Sequence, residues 1–523
     1  DIDGLSDALV ENDSIWLGND PSGTTSTASY NVAVGTTALD SITTADRNVA
    51  IGYNAATALT TGAYVTAIGS NALEATTTLH NNTAVGTYSG YACTGAENTF
   101  IGSEAGHYAT SCDKSVVIGY TAVGLGVMTG NENTAIGQDA GMDLTSGYSN
   151  TFIGSGAGAN VTTGFKNIAV GVSALVTGTD MDYNIAIGYS ALGNGGVSGD
   201  NNIGIGYLAG DQITSGASNT IVGHQAGDAV TEGSSNTIVG NIAGPVMTTG
   251  NNNTALGTGC LTHITTGDYN IGIGASGGYG FTTGDNNIGI GLLAGYAGSS
   301  TGSDNTFVGK YAGRNGGQAS TGSGNTAIGV AAMNGAWTDG ATNTAIGAVA
   351  LQSVTTGDQN IALGYTAGNT GSPSGAISTA DNQMCLGGDN ITHSFTKVAI
   401  SVTSDARDKT DITPLDLGLD FIKKLKPITY RWDERSNYSE ELDVTPDGTH
   451  KKEQLECGFL AQDVEAIEEQ YGYRHADKTN LLPTLTSDEK SYALKYDRLV
   501  TILTNAVQEL SAEVEELKSK LDE

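Results

Sequence analysis

Residues 133–154 read NTAIGQDAGMDLTSGYSNTFIG, and this stretch holds two copies of one short motif. Each copy has Asn, then Thr, Ile or Val, a variable residue, an aliphatic residue and Gly. Successive copies are mostly 17 residues apart. The motif glycines are Gly35, Gly52, Gly69, Gly86, Gly102, Gly119, Gly137, Gly154, Gly171, Gly188, Gly206, Gly223, Gly240, Gly257, Gly274, Gly291, Gly309, Gly329, Gly347 and Gly364. A fixed period of this length indicates repeating units that stack on one another.

The repeat predicts a β-solenoid, because one period has room for two short strands and two turns. The residue before each motif glycine is Ile, Val or Leu. We expect this aliphatic column to stack into a continuous core. The Asn column is expected to form a ladder of stacked amides. The residue three places after the glycine is small, and mostly Ala, which predicts close approach of other chains and therefore a multimer.

The repeats resemble the β-roll of trimeric autotransporter adhesin heads, and similar glycine-rich repeats occur in bacteriophage tail fibres. The resemblance covers roughly residues 30–390. It implies a mainly β, trimeric shaft built as a β-roll.

Composition excludes several classes of partner and cofactor. The net charge of −33 argues against nucleic acid and against an anionic membrane surface. The five cysteines lie far apart without a C-x-x-C pair, so no zinc site or disulfide framework is indicated. We expect no metal and no cofactor. No run of about 18 apolar residues occurs, so no membrane insertion is expected.

The chain changes character near residue 400. Only six of its 22 Lys and Arg residues precede that point, which marks a domain boundary. The stretch LGLDFIKKLKPITYRWDE predicts a helix and then a strand, and ECGFLAQDVEAIEEQ predicts a strand end and then a helix. The tail is a heptad series, typical of a short coiled coil. Its apolar a and d positions are Val500, Leu503, Val507, Leu510, Val514, Leu517 and Leu521.

These boundaries predict four regions. They are a lead-in segment at 1–29, a solenoid shaft at 30–390, a linker at 391–403, and an α+β domain at 404–523 with a coiled coil at 496–521.

The C-terminal block resembles the intramolecular chaperone domain of endosialidases and phage tail fibres. Four motifs carry the resemblance: SDARDK with the following TDI, LKPITYRW, GFLAQDV and LKYDRLVTILTNAVQEL. In that family the Ser of S-D-x-x-x-K attacks the peptide bond before itself, and the Lys is its general base. The resemblance implies Ser404 as nucleophile, Lys409 as base and Thr403–Ser404 as the scissile bond, with Asp405 and Arg407 supporting the motif. Without that context, SDARDK is an ordinary polar turn entering a helix.

Both halves of the chain are expected in a homotrimeric phage tail fibre of the virion, assembled in the host cytoplasm. The chaperone domain would align three chains. It would then act as a single-turnover serine autoprotease and release itself from the shaft. The expected partners are other virion tail proteins and a host cell-surface receptor, with a glycan as the favoured class. One alternative is a capsule-degrading tailspike, although shaft acids such as Glu74, Glu97 and Asp139 are scattered, without pairs in successive coils. Another alternative is a bacterial surface adhesin.

Receptor contacts are predicted where aromatic residues are available to stack on sugars. Tyr189 and Tyr207 each follow a motif glycine, although the column favours ordinary packing residues over receptor contacts. Trp337 and the segment 368–381 lie where the chain leaves the regular repeat, and irregular loops on a rigid scaffold often carry function.

Overall fold

Each copy of the motif forms a three-residue strand, and successive strands pair in parallel and in register. Thr134–Ile136 pairs with Thr151–Ile153, with Ala135 opposite Phe152. One coil of the chain separates the two strands, so the predicted β-solenoid with a 17-residue period is confirmed.

The computed structural model describes residues 8–18, 27–388, 391, 394–397, 403–439 and 442–522. The chain divides into two units, residues 1–305 and 306–523. Among the described residues, the first unit holds a short hairpin and a series of coils, and the second holds further coils followed by the α+β domain.

In the first unit, β1 (Ala8–Glu11) and β2 (Ser14–Leu17) form an antiparallel hairpin, and β2 pairs in parallel with β3 (Val32–Val34). The strands are β1 Ala8–Glu11, β2 Ser14–Leu17, β3 Val32–Val34, β4 Val49–Ile51, β5 Thr66–Ile68, β6 Thr83–Val85, β7 Thr99–Ile101, β8 Val116–Ile118, β9 Thr134–Ile136, β10 Thr151–Ile153, β11 Ile168–Val170, β12 Ile185–Ile187, β13 Ile203–Ile205, β14 Thr220–Val222, β15 Thr237–Val239, β16 Thr254–Leu256, β17 Ile271–Ile273, β18 Ile288–Ile290 and β19 Ser299–Ser300.

In the second unit, the coils end at β25, and short helices and two small hairpins follow. The elements are β20 Thr306–Val308, β21 Ala319–Ser320, β22 Thr326–Ile328, β23 Thr344–Ile346, β24 Ile361–Leu363, β25 Met384–Leu386, α1 Leu419–Lys424, β26 Ile428–Tyr430, β27 Glu456–Gly458, α2 Ala461–Glu468, β28 Pro483–Leu485, β29 Tyr492–Leu494 and α3 Leu499–Asp522.

The aliphatic column before the motif glycines lies on the outside of the coil. Ile153 and Ile187 are 37% and 38% exposed, whereas the middle strand residues Phe152 and Ala186 are fully buried. The prediction that the aliphatic column forms the core is therefore wrong. Successive strand residues point to opposite faces. The inward Asn lies three residues before the aliphatic residue, an odd number, so the aliphatic side chain faces outward.

The small column three places after the glycine lies inside the coil, and not between chains as predicted. Ala140 and Ala157 are fully buried. The Ala157 N–H donates to the Gly154 carbonyl at 3.2 Å, which closes a tight turn with the methyl group inside. The column is small because a narrow coil has little room there.

Side-chain volume is balanced between two interior positions in some of the coils. Phe152 fills the interior of its coil, and a Cβ on Gly158 would lie 2.6 Å from its ring. In the next coil Ala169 replaces the Phe, and Leu175 replaces the Gly. In these two coils a large strand residue coincides with a small turn residue, or a small strand residue with a large turn residue, which keeps the interior closely packed.

The Asn column forms the predicted amide ladder. Asn219 Nδ2 donates to Asn202 Oδ1 at 3.0 Å and to the Gly233 carbonyl at 2.8 Å. Its own Oδ1 accepts from both the backbone N–H and the Nδ2 of Asn236, each at 3.0 Å. The buried amides therefore have partners in the neighbouring coils, which removes the cost of burying them.

The α+β domain follows the predicted order of elements. Helix α1 precedes the β26–β27 hairpin, and α2 follows directly after β27. One apolar core, formed by Leu417, Phe421, Val464, Leu482 and Ile502, joins these elements to α3. Within the described residues, no helix combines the length and apolar character that crossing a membrane requires.

Two glycines of one coil provide a test of the volume balance. Gly156 and Gly158 have φ of +66° and +60°, but a Cβ on Gly156 would meet only Ser173 Oγ, at 3.9 Å. We expect Gly158→Ala to lower the free energy of unfolding by about 1–3 kcal/mol more than Gly156→Ala, because only the former overpacks the core. The measurement is chemical denaturation of the two variants.

The double variant Phe152→Ala/Gly158→Leu reproduces the combination found at Ala169 and Leu175, so it should be more stable than Gly158→Leu alone. Equal losses for Gly156→Ala and Gly158→Ala would contradict the volume argument.

Candidate functional site

The segment that begins the predicted chaperone domain forms one short 3₁₀ turn. The turn spans Ala406–Asp408, and the Asp405 side chain caps it by accepting from the Arg407 N–H. Lys409 follows the turn in an extended conformation, with φ of −118° and ψ of 139°. The chain therefore folds back on itself between Ser404 and Lys409.

The turn brings the two predicted catalytic side chains into direct contact. Lys409 Nζ donates a hydrogen bond to Ser404 Oγ at 2.6 Å. Both residues and Thr403 are exposed. An amine next to a hydroxyl is the arrangement in which a neutral lysine removes the proton of a serine nucleophile.

The two motif-supporting residues pair with each other. Arg407 Nη2 lies 2.6 Å from Asp405 Oδ2, and Arg407 Nε donates to both carboxylate oxygens. The Arg407 side chain holds the pKa of Asp405 below its usual value, and Asp405 in turn raises the pKa of Arg407. In the described part of the chain, the neighbouring Asp408 makes no ion pair with Lys409. The lysine contact with Ser404 is therefore not shared with a carboxylate.

A β-solenoid followed by a small α+β domain with a long terminal helix indicates a protein of the tail-spike or tail-fibre type. Residues 404–473 match the family model of the chaperone of endosialidase, a self-cleaving peptidase family. This part of the chain is therefore similar to the chaperone of endosialidase, as the three motifs that lie within it predicted. The match begins at Ser404 itself. No curated protein matches the chain.

Trp337 is not available to a receptor. Its side chain is only 1% exposed and packs against Phe307, with ring centroids 5.6 Å apart. The prediction that Trp337 contacts a receptor is therefore wrong. Trp337 lies six residues before Asn343, and the residues at the same distance before Asn270 and Asn360, which are Ile264 and Val354, are also fully buried. Trp337 therefore belongs to a regular interior column of the coil.

Tyr189 and Tyr207 are exposed and stacked on each other. They are 51% and 46% exposed, and their ring centroids are 5.4 Å apart at an interplanar angle of 14°. His224 continues the stack, 5.1 Å from Tyr207. All three residues directly follow a motif glycine, so the column that identified the tyrosines could also have identified His224.

Acidic residues do recur in successive coils, contrary to the sequence-based expectation. Asp268 and Asp285 are one coil apart. Asp268 Oδ1 accepts the backbone N–H of Asn251 at 2.6 Å, and Asp285 Oδ1 accepts that of Asp268 at 2.8 Å. These carboxylates bind the backbone of the preceding coil. Among the described residues, no group of three or more His, Cys, Asp or Glu side chains is placed to hold a metal.

Proposed function

We propose that the protein is a homotrimeric tail fibre of a virion, which joins other tail proteins and binds a host cell-surface glycan. In this proposal the C-terminal domain aligns three chains during assembly. It then cleaves the Thr403–Ser404 bond in each chain. The observation that carries the cleavage is the hydrogen bond between Lys409 Nζ and Ser404 Oγ at the start of the family match.

The proposed reaction is an acyl transfer followed by hydrolysis. Lys409 Nζ takes the proton of Ser404 Oγ, and the oxygen attacks the carbonyl carbon of Thr403. The C–N bond breaks, the proton passes to the departing amine, and an ester remains between Thr403 and Ser404. Water hydrolyses that ester, which leaves a carboxylate on Thr403 and a free amino group and hydroxyl on Ser404.

Activation of the lysine depends on its surroundings. A lysine acts as a base only when its amine is neutral, and burial favours the neutral form. Ser404 and Lys409 are both exposed in the single chain. The burial that the reaction needs would therefore come from neighbouring chains, so we infer that cleavage follows trimer assembly.

Intact mass measurement tests the cleavage. We expect the purified wild-type protein to give fragments 1–403 and 404–523, and Ser404→Ala to stay whole. Lys409→Arg should also stay whole, because a guanidinium keeps the positive charge but cannot be deprotonated. Lys397→Arg, which makes the same exchange before the scissile bond, should cleave normally. Cleavage of the Ser404→Ala protein at the same bond would rule out the proposed nucleophile.

Two exposed apolar surfaces support self-association. The outward aliphatic column lies on one face of a parallel sheet, and such sheets are normally covered on both faces. It includes Ile51, Ile101, Ile153, Ile187 and Leu256. The a and d positions of α3 are also exposed in the single chain. Both surfaces are repetitive stripes that a second and third copy of the same chain would cover. The expectation that three chains assemble, and not another number, comes from the resemblance to trimeric β-rolls.

Sedimentation of the Ser404→Ala protein tests the trimer. We expect a mass about three times the 53.1 kDa of one chain. Leu510→Lys should abolish the trimer, because it puts a charge in the apolar seam. Ala512→Lys places the same charge on the same helix outside the seam and should leave the mass unchanged. A single-chain mass for the Ser404→Ala protein would exclude a homotrimer.

The aromatic stack supports binding to a glycan in preference to its hydrolysis. Exposed aromatic faces at 189, 207 and 224 offer a stacking surface along successive coils. The paired acids at 268 and 285 are instead engaged by backbone N–H groups. A depolymerase needs carboxylates that are free to act on the sugar.

A glycan array probed with labelled protein tests this surface. We expect Tyr189→Ala/Tyr207→Ala to lose about tenfold in apparent affinity, since each aromatic contact contributes about 0.5–1.5 kcal/mol. Tyr120→Ala removes an equally exposed tyrosine that also follows a motif glycine, and it should bind as the wild type does. Identical binding by all three proteins would exclude the stack as the glycan site.

A further inference from the structure

The last coil of the solenoid carries a preformed loop at residues 368–377, here called the final loop. This coil is longer than the others, with 23 residues between Asn360 and the equivalent Gln383. The final loop is closed by its own backbone: the Gly375 N–H donates to the Ser372 carbonyl at 2.9 Å, and the Ile377 N–H donates to the Gly368 carbonyl at 2.9 Å. The Ile377 side chain is fully buried. The loop is therefore held by its own backbone hydrogen bonds and by one buried side chain.

A second preformed element faces the final loop within the unit 306–523. It is the turn at residues 486–491, here called the hairpin turn, which connects β28 and β29. Asp488 organises this turn, because its Oδ1 accepts from Thr486 Oγ1 at 2.6 Å and from the Lys490 N–H at 3.1 Å. Arg435 also holds the turn, because its Nη2 donates a hydrogen bond to the Lys490 carbonyl at 2.8 Å.

The two elements are joined by hydrogen bonds in both directions. The Ser487 N–H donates to the Ser374 carbonyl at 2.8 Å, and the Ala376 N–H donates to Asp488 Oδ2 at 3.1 Å. Burial acts to raise the pKa of Asp488, but the hydrogen bonds from Thr486 and Ala376 outweigh it, so the pKa lies below its usual value. The carboxylate is therefore charged at neutral pH and accepts these bonds at full strength.

Gly375 makes the close approach possible. A Cβ at this position would lie 2.7 Å from Asp488 Cγ and 2.8 Å from Thr486 Cβ. Both distances are too short for any side chain to fit without moving the hairpin turn. The absence of a side chain at Gly375 is therefore a requirement of the contact and not only of the loop's own conformation.

We propose that the final loop is a docking site for the hairpin turn, and that this contact holds residues 404–523 on the shaft after the Thr403–Ser404 bond is cut. The retention step rests on the proposed cleavage, but the docking contact does not. The hairpin turn lies beyond residues 404–473, which match the chaperone family. The contact is therefore a property of this chain that the family match does not cover. It also gives the segment 368–381 a partner other than the receptor expected from the sequence.

The experiment cuts the linker independently of Ser404. A site-specific protease sequence is placed between Gly388 and Ser404 in the full chain, on a Ser404→Ala background with an N-terminal tag. After cutting, the tagged shaft is captured and the rate at which residues 404–523 leave it is measured. Failure of self-cleavage cannot affect this result, because the proposed nucleophile is absent and the cut is made by the added protease.

Gly375→Ala and Gly316→Ala form the matched pair. Their φ values are +67° and +69°, but a Cβ on Gly316 would meet no atom within 4 Å. We expect the parent and Gly316→Ala to retain the domain, and Gly375→Ala to release it at least tenfold faster. Equal release from the two variants, or immediate release from the parent, would overturn the proposal.

A second pair changes the hairpin turn and not the loop. Asp488→Asn removes the charged acceptor, whereas Glu489→Gln removes a neighbouring exposed charge of the same turn. We expect faster release only from Asp488→Asn. If Gly375→Ala does not fold, this second pair tests whether the contact retains residues 404–523 on the shaft. If Asp488→Asn then retains the domain as well as Glu489→Gln does, the docking proposal fails.

Discussion

The amide ladder is the interaction on which the rest of the shaft depends. An Asn side chain inside an apolar coil is costly unless both its donors and its acceptor are satisfied. Asn219 meets this condition only because Asn202 and Asn236 occupy the equivalent position in the coils on either side. The ladder therefore requires stacking in register. It also fixes which face of each strand points inward. Side chains alternate between the two faces of a strand, so the second residue after the buried Asn also points inward and the third points outward.

That constraint explains both where reasoning from the sequence succeeded and where it failed. The period and the ladder were predictable, because a repeated polar residue in an apolar pattern needs a repeated partner. The aliphatic column was predicted inside the coil and the small column outside it, which is the reverse of their true positions, because the motif does not show whether Asn itself points inward. Once Asn219 is known to be buried, Ile221 must be inside and Val222 outside. Trp337 was misjudged for a related reason, since it takes the interior position six residues before Asn343, which Ile264 and Val354 take in other coils.

The C-terminal site was more predictable than the shaft surface. Ser404 and Lys409 are close in sequence, so a single short turn suffices to bring them together. The elements α1, β26, β27 and α2 likewise follow local patterns. The contact between the final loop and Asp488 joins residues more than a hundred positions apart. Nothing in the local pattern of either segment reveals the other, so only the folded structure connects them.

The same contact bears on how a repetitive chain finds its register. Coils that all share one motif offer many nearly equivalent pairings. The last coil differs from the others in length and in its loop, so it can be distinguished from every other coil. A folding domain that docks on this coil recognises a part of the shaft that no other coil reproduces. Pairing would then start from a defined end and proceed coil by coil.

The balance of volumes inside the coils also constrains how such a shaft can evolve. Phe152 with Gly158, and Ala169 with Leu175, are two solutions to the same space. Large residues at both positions would overfill the coil, so a change from one solution to the other has to pass through a pair of small residues, as at Ala135 and Gly141. Duplication or loss of whole coils avoids that barrier, because each inserted segment brings its own matched residues. Shafts of this kind should therefore vary more readily in the number of coils than in the composition of any one coil.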